Sequence, residues 1–128
     1  MSTSDVTDFE AAMVASWSDI HKKSALMQFI LLVLHEKPCW SAEIRDGISA
    51  LSEGSLHVDE QSLHRALRRL AGNNLITFTS GPAPGTGARR KTYQLTQTGE
   101  RVLRHYLQTT LSYARSSRYL EALAAVVE

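Results

Sequence analysis

Two adjacent asparagines, Asn73 and Asn74, separate two kinds of hydrophobic repeat that no single regular element can carry. Before them, Leu63, Leu67 and Leu70 recur at helical spacing, with Ala66 beside them. After them, residues 75–80 and 91–96 are rich in β-branched and aromatic side chains in partial alternation, which reads as two strands. A helix therefore ends and a strand begins around this dipeptide, and asparagine tolerates the left-handed backbone common just past a helix end. The intervening residues 81–90, Gly-Pro-Ala-Pro-Gly-Thr-Gly-Ala-Arg-Arg, are too long for a tight turn but suit the connection of an antiparallel hairpin.

The rest of the chain reads as helix. Val6, Phe9, Met13, Trp17 and Ile20 form a stripe over the first twenty residues, and Thr7 with Glu10 has the spacing of a capping box. A second helix is expected over residues 23–36. There Leu26, Met27, Ile30, Leu31 and Leu34, widened by Phe29, Leu32 and Val33, make a nearly all-round apolar surface suited to the centre of a core. Pro38 stops it. A third begins near Trp40-Ser41, with Ser41 as candidate N-cap, and carries Ile44, Ile48 and Leu51. The fourth starts at Asp59, a good N-cap followed by Glu60 in the first turn, and runs to Gly72. Beyond the strands, Thr96 or Thr98 can cap a final helix with Leu103, Tyr106, Leu107, Leu111 and Ala114 on one face. Arg115-Ser-Ser-Arg118 is a candidate break before an Ala- and Leu-rich end.

At 128 residues and 43% hydrophobic content the chain supports one folded unit with an ordinary core. Three central helices followed by a hairpin are the ingredients of a winged helix-turn-helix. The expected fold is mainly α, with a two-stranded β-wing and N- and C-terminal dimerisation helices. The expected division is 1–21, an N-terminal helix and dimer contact; 22–96, a winged-helix DNA-binding unit; and 97–128, a C-terminal dimerisation helix. The apolar faces of the first and last helices exceed what a small three-helix core needs, which points to a homodimer.

The formal net charge of +1 names no partner, but its distribution does. From Gln61 to Gly99 there is no acidic residue, while Arg65, Arg68, Arg69, Arg89, Arg90 and Lys91 are basic. Phosphate contacts depend on such local potential. On a helical projection, Gln61, Arg65 and Arg68 lie opposite the leucine seam, flanked by His64 and Arg69. Arginine grips guanine O6 and N7 with a fork, and glutamine pairs with adenine N6 and N7, so Gln61, Ser62 and Arg65 near the helix start are the candidate base readers. Arg68 and Arg69, a turn later, are candidate phosphate contacts. So are Arg89, Arg90 and Lys91 on the hairpin, whose Gly-rich tip suits a minor groove or the backbone.

The segment 63–70, Leu-His-Arg-Ala-Leu-Arg-Arg-Leu, followed by Asn74-Leu-Ile and by Arg-Arg-Lys-Thr-Tyr-Gln-Leu-Thr-Gln-Thr-Gly at 89–99, resembles the PadR family of bacterial transcriptional regulators. Trp40-Ser-Ala-Glu-Ile44 is similar to that family's Tyr-Gly-Tyr-Glu-Ile. His64 stands where the family has a DNA-contacting tyrosine, and Asn74 where it has glycine; the left-handed conformation admits both of the latter. The resemblance implies a homodimer joined through the terminal helices, a double-stranded DNA operator as partner, and repression by occluding a promoter. Some members of that family sense small aromatic molecules at the dimer interface. Phe9, Trp17, Tyr106 and Tyr113 are the candidates for lining such a pocket here, against the competing reading of simple interface packing.

No catalytic, cofactor or metal chemistry is legible. The five histidines show no HxxxH spacing, Cys39 has no cysteine partner, and the glycine-rich stretch lacks the Gly-Lys-Ser/Thr end of a phosphate loop. Cys39 reads as a small packed residue. No apolar run reaches the length of a membrane span, and the polar, acidic start differs from a secretory signal, so a cytoplasmic protein is expected. The sequence thus predicts a sequence-specific DNA-binding regulator without enzyme activity. The competing class is a winged-helix protein–protein interaction module whose basic face is incidental.

Overall fold

A computed structural model describes residues 5–85 and 87–128; residues 1–4 of the expected N-terminal helix and Thr86 in the hairpin connection lie outside the described residues. The expected first and second helices are one: α1 runs unbroken from Asp8 to Glu36. The junction His21-Lys22-Lys23-Ser24 contains neither glycine nor proline, so the change of apolar stripe there does not interrupt the backbone hydrogen bonds. The Ser24 hydroxyl donates to the His21 carbonyl at 3.0 Å, a local bond that a helix accommodates. A boundary between residues 21 and 22 therefore falls inside a helix.

The capping box at its start is closed. The Glu10 N–H donates to the Thr7 hydroxyl at 3.1 Å, and the Thr7 N–H donates to the Glu10 carboxylate at 2.8 Å. What changes along α1 is burial. Residues 8–24 are exposed on every side, whereas Ala25, Ile30, Leu31, Val33 and Leu34 are buried. At about 1.5 Å per residue, the exposed part is a rod of roughly 25 Å.

After α1 come a short strand β1 (Cys39–Trp40), α2 (Ser41–Leu51) and α3 (Glu60–Gly72). Strands β2 (Ile76–Pro82) and β3 (Arg89–Leu95) follow, then α4 (Gln97–Thr109), a 3₁₀ turn (Ser112–Arg115) and α5 (Ser117–Val127). The sheet is antiparallel in the order β1-β3-β2, so the expected two-stranded wing has a third strand at its root. Two residues are too few to show alternation in a sequence, which is why β1 is invisible there. The cap of α2 is Trp40 rather than Ser41: the Trp40 N–H donates to the Glu43 carboxylate at 3.2 Å.

The core sits where α1, α2, α3 and the sheet converge, around Ile30, Cys39, Ile44, Ile48, Leu63, Leu67 and Ile76. A Cβ at Gly47 would stand 2.9 Å from both methyls of Val33, so α2 lies against α1 only because that side chain is missing. Cys39 is packed as expected, and burial pushes its thiol above the ordinary range, with the Glu43 charge adding to the effect. The arrangement is a winged helix-turn-helix.

Candidate nucleic-acid interface

Asp59 holds the start of α3. Its carboxylate accepts the Ser62 N–H and the Ser62 hydroxyl, each at 2.8 Å. Those two bonds hold the Asp59 carboxyl below its usual value, with the charge of Arg65 acting in the same direction. The Ser62 hydroxyl proton is thus committed to the cap, leaving its oxygen as the group free for a base edge.

Downstream, Leu63, Ala66, Leu67 and Leu70 are buried and anchor the helix. Gln61, Arg65, Arg68 and Arg69 are exposed, and His64 is half-buried. Gln61, His64, Arg65 and Arg68 share one shallow concavity with Glu60. Arg69 does not join them. It lines a groove on the other flank of α3, where α1 and α4 meet it, beside Gln28, Leu31 and Tyr106.

The wing distributes its three cations over two faces. Successive strand residues alternate, so Arg89, Lys91 and Tyr93 share one face of β3 and Arg90 lies on the other. On the first face, an Arg89 guanidinium N–H donates to the Ser80 carbonyl at 2.8 Å, and the Lys91 ammonium stands 4.5 Å from the centre of the Phe78 ring. Phe78 pairs with Tyr93 across the strands, ring centres 5.6 Å apart. On the second face, the Arg90 guanidinium stacks over the Trp40 ring at 4.2 Å.

Helix and wing feel each other. Burial pushes the Tyr93 hydroxyl above its ordinary value, and the positive charge of Arg68 opposes that rise. The two elements are also in direct contact, since α3 packs against β2. Among the described residues, the ion pairs are Lys23–Asp19, His35–Glu100 and Arg104–Glu100. None of them involves Arg65, Arg68, Arg89, Arg90 or Lys91.

Two residues at this surface, and a third in a separate cleft, carry no signal in the sequence. Trp40 and Phe78 are apolar letters that register as core or strand, and their roles as platforms for Arg90 and Lys91 depend on strand pairing. Arg45 lines a cleft with Asp46, Ser49 and His57 at the turn between α2 and α3. Nothing in the periodicity of α2 distinguishes it from a solvated arginine.

The four aromatic candidates are not gathered within one chain. Phe9 and Trp17 lie on the exposed half of α1, and Tyr113 sits edge-to-face against Tyr119, ring centres 4.9 Å apart. Tyr106 lines the groove beside Arg69, whose other walls include Met27, Leu70 and Leu103 but none of those three aromatics. Among the described residues no group of three or more His, Cys, Asp or Glu could hold a metal ion, and no helix is long and apolar enough to cross a membrane.

Comparison with known proteins agrees with this geometry. A family model described as the transcriptional regulator PadR-like family matches residues 30–105. No curated protein matches the chain. A PadR family transcription regulator from Clostridium difficile R20291 is 30% identical, with a TM-score of 0.56, over 66% of this chain and 84% of its own. A PadR-like transcription factor from Bacteroides fragilis is 26% identical, with a TM-score of 0.63, over 83% of this chain and 98% of its own. The fold is also that of Bacillus subtilis PadR, solved in complex with operator DNA: 23% identity, TM-score 0.59, 65% of this chain and 47% of that one. From the buried half of α1 through the wing and into α4, the match spans more than half of the sequence, and this chain belongs to the PadR-like family of transcriptional regulators.

Proposed function

We propose that the protein is a homodimeric, sequence-specific DNA-binding repressor. In this reading α3 enters the major groove, with Gln61 and Arg65 at base edges and His64 and Arg68 at its margin. The wing reaches the neighbouring backbone through Arg89 and Lys91. The observation that carries it is the direct packing of α3 on β2 of the wing, two elements whose Arg65, Arg68, Arg89, Arg90 and Lys91 take part in no ion pair among the described residues. The Bacillus subtilis relative, of the same fold, was solved on operator DNA, which supports the same partner class here.

Dimerisation is supported by apolar surface that the single chain leaves uncovered. Phe9 is 74% exposed, Trp17 66% and Val126 83%. Exposed apolar side chains in such number mark an interaction surface. A two-fold axis through the terminal helices presents two copies of α3 to half-sites about one DNA turn apart. Phe9, Trp17 and Tyr113 serve that interface. Tyr106 marks the place of a small aromatic effector: the groove around it, of about 350 Å³, has apolar walls and touches α3 directly.

A mobility-shift titration on genomic fragments over a range of salt concentrations tests this. With about four phosphates contacted per subunit, the log–log slope is expected near −7. Absence of binding at low salt refutes the DNA reading and favours an interaction module.

A further inference from the structure

The three wing cations fall into two groups by their partners, and the split assigns them different work. Arg89 and Lys91 make their contacts inside the hairpin, with Ser80 and Phe78. Arg90 reaches out of the hairpin and stacks on Trp40, which belongs to β1 and caps α2. Strand β1 pairs with β3 only at Cys39–Tyr93 and Trp40–Thr92. From Lys91 to the tip, β3 has β2 as its single strand neighbour. A two-stranded ribbon without a packed face is only marginally rigid in water and is free to swing about its root. The Arg90–Trp40 stack is placed where it restrains that swing, because it ties the ribbon beyond the last β1 pair to the first helix of the helix-turn-helix.

Building on the DNA-binding reading above, we infer that Arg90 is a positioning residue rather than a phosphate contact. With Trp40 as its platform, it fixes the angle of the wing and so the spacing between Arg89 and Lys91 on one side and Arg65 and Arg68 on the other. Its face of the strand is the one opposite Arg89, Lys91 and Tyr93, and there it meets Trp40. A guanidinium spread over an indole is also a partly satisfied cation, which a free wing arginine is not.

The test compares Arg90→Ala, Trp40→Leu, Trp40→Phe and the Arg90→Ala/Trp40→Leu pair with the unsubstituted full-length protein, measuring affinity for a selected genomic fragment as a function of salt. Positioning predicts a loss of roughly three- to tenfold in Arg90→Ala, the scale of one cation–π contact, with the salt slope unchanged. Trp40→Leu shows the same loss, the double variant shows no more than either single one, and Trp40→Phe, which keeps a ring, restores most of the affinity. In a Trp17→Phe background, Arg90→Ala also shifts the Trp40 emission of the free protein, while its melting temperature stays close to that of the parent.

A slope reduced by about 0.9 for each contact removed in Arg90→Ala, with Trp40→Leu unaffected, makes Arg90 a phosphate ligand and overturns the inference while leaving the DNA reading intact. An unsubstituted protein that binds no DNA overturns both.

Discussion

The Thr96 hydroxyl donates to the Asn74 carbonyl at 2.8 Å, across twenty-two residues of chain, and the Thr96 N–H donates to the Leu75 carbonyl at 3.1 Å. The same hydroxyl oxygen accepts the Gly99 N–H at 2.9 Å and so caps α4. One side chain therefore joins the exit of the candidate reading helix to the entry of the C-terminal helices. The joint is tight: a Cβ at Gly99 would collide with the Leu75 carbonyl oxygen and press on a Leu95 methyl at 2.8 Å.

This joint yields a stability prediction. Gly99→Ala must push α4 away from Leu75, and overpacking of this kind costs about 1–3 kcal/mol. Thr96→Ala loses a cap and the tie to Asn74 and is expected to cost about 1–2 kcal/mol. Thermal unfolding followed by circular dichroism reads both. A Gly99→Ala protein as stable as its parent contradicts the close approach.

Arg65→Ala separates base reading from general attraction. Arg65 lies opposite the Leu63/Leu67/Leu70 seam, and one forked base contact contributes about 1–3 kcal/mol of discrimination. Affinity for a selected fragment is expected to fall by that amount while affinity for random DNA falls much less. Equal losses on both would remove Arg65 from base reading.

The coupling of Arg68 to Tyr93 can be titrated. Burial raises the Tyr93 hydroxyl above the ordinary 10.0 of a tyrosine, and Arg68 pulls the other way, so Arg68→Gln is expected to raise it further. Because the folded value is the higher one, the contribution of neutral Tyr93 to stability is present below pH 10.0 and declines as pH rises from there through the folded value. Tyrosinate absorbance, with Tyr93→Phe to assign the signal, follows this directly. A Tyr93 titration indifferent to Arg68 would separate the wing from the helix.

Asp59 gives the opposite sign at the acid end. Its folded value lies below 3.8, so its stabilisation of α3 is present above pH 3.8 and is lost as pH falls from there through the folded value. Asp59→Asn keeps an acceptor for Ser62 but cannot titrate, so its acid-unfolding curve is expected to be shallower in that window. Carbon chemical shifts of the Asp59 carboxyl would show an undisplaced midpoint if the cap were absent in solution.

The uncovered half of α1 supplies a test of assembly. Trp17→Lys sits among residues exposed in the single chain, so it leaves the core untouched. As an interface anchor its loss is expected to weaken dimerisation by about 2 kcal/mol or more, roughly thirtyfold in dissociation constant. Analytical ultracentrifugation across concentrations measures this, and a wild-type protein that stays monomeric would dismiss the interface.

Much of this architecture is legible in the letters because it rests on local physics. The seam Leu63, Leu67, Leu70 marks α3; Asp59 and Thr7 mark their caps; and Asn74, with φ of 61°, takes the left-handed turn that its side chain tolerates. The family resemblance carried by residues 63–70 and 89–99 agrees with the matched span of 30–105. Two separate helices at the N-terminus were expected and one was found, because an apolar stripe reports which side meets a core, not whether the backbone is continuous. The Arg115-Ser-Ser-Arg118 region does separate helices, but α4 already ends at Thr109.

Spacing, capping and charge act between near neighbours, so the amino-acid order alone marks α2, α3, the two long strands and the stretch that concentrates positive charge. How those charges are grouped follows from packing between distant parts of the chain. Strand pairing brought Arg90 to Trp40 and Lys91 to Phe78, and the packing of α1 and α4 beside α3 put Arg69 in a groove with Tyr106. Those outcomes depend on which face of each element meets the core, a long-range choice that neighbouring residues do not record.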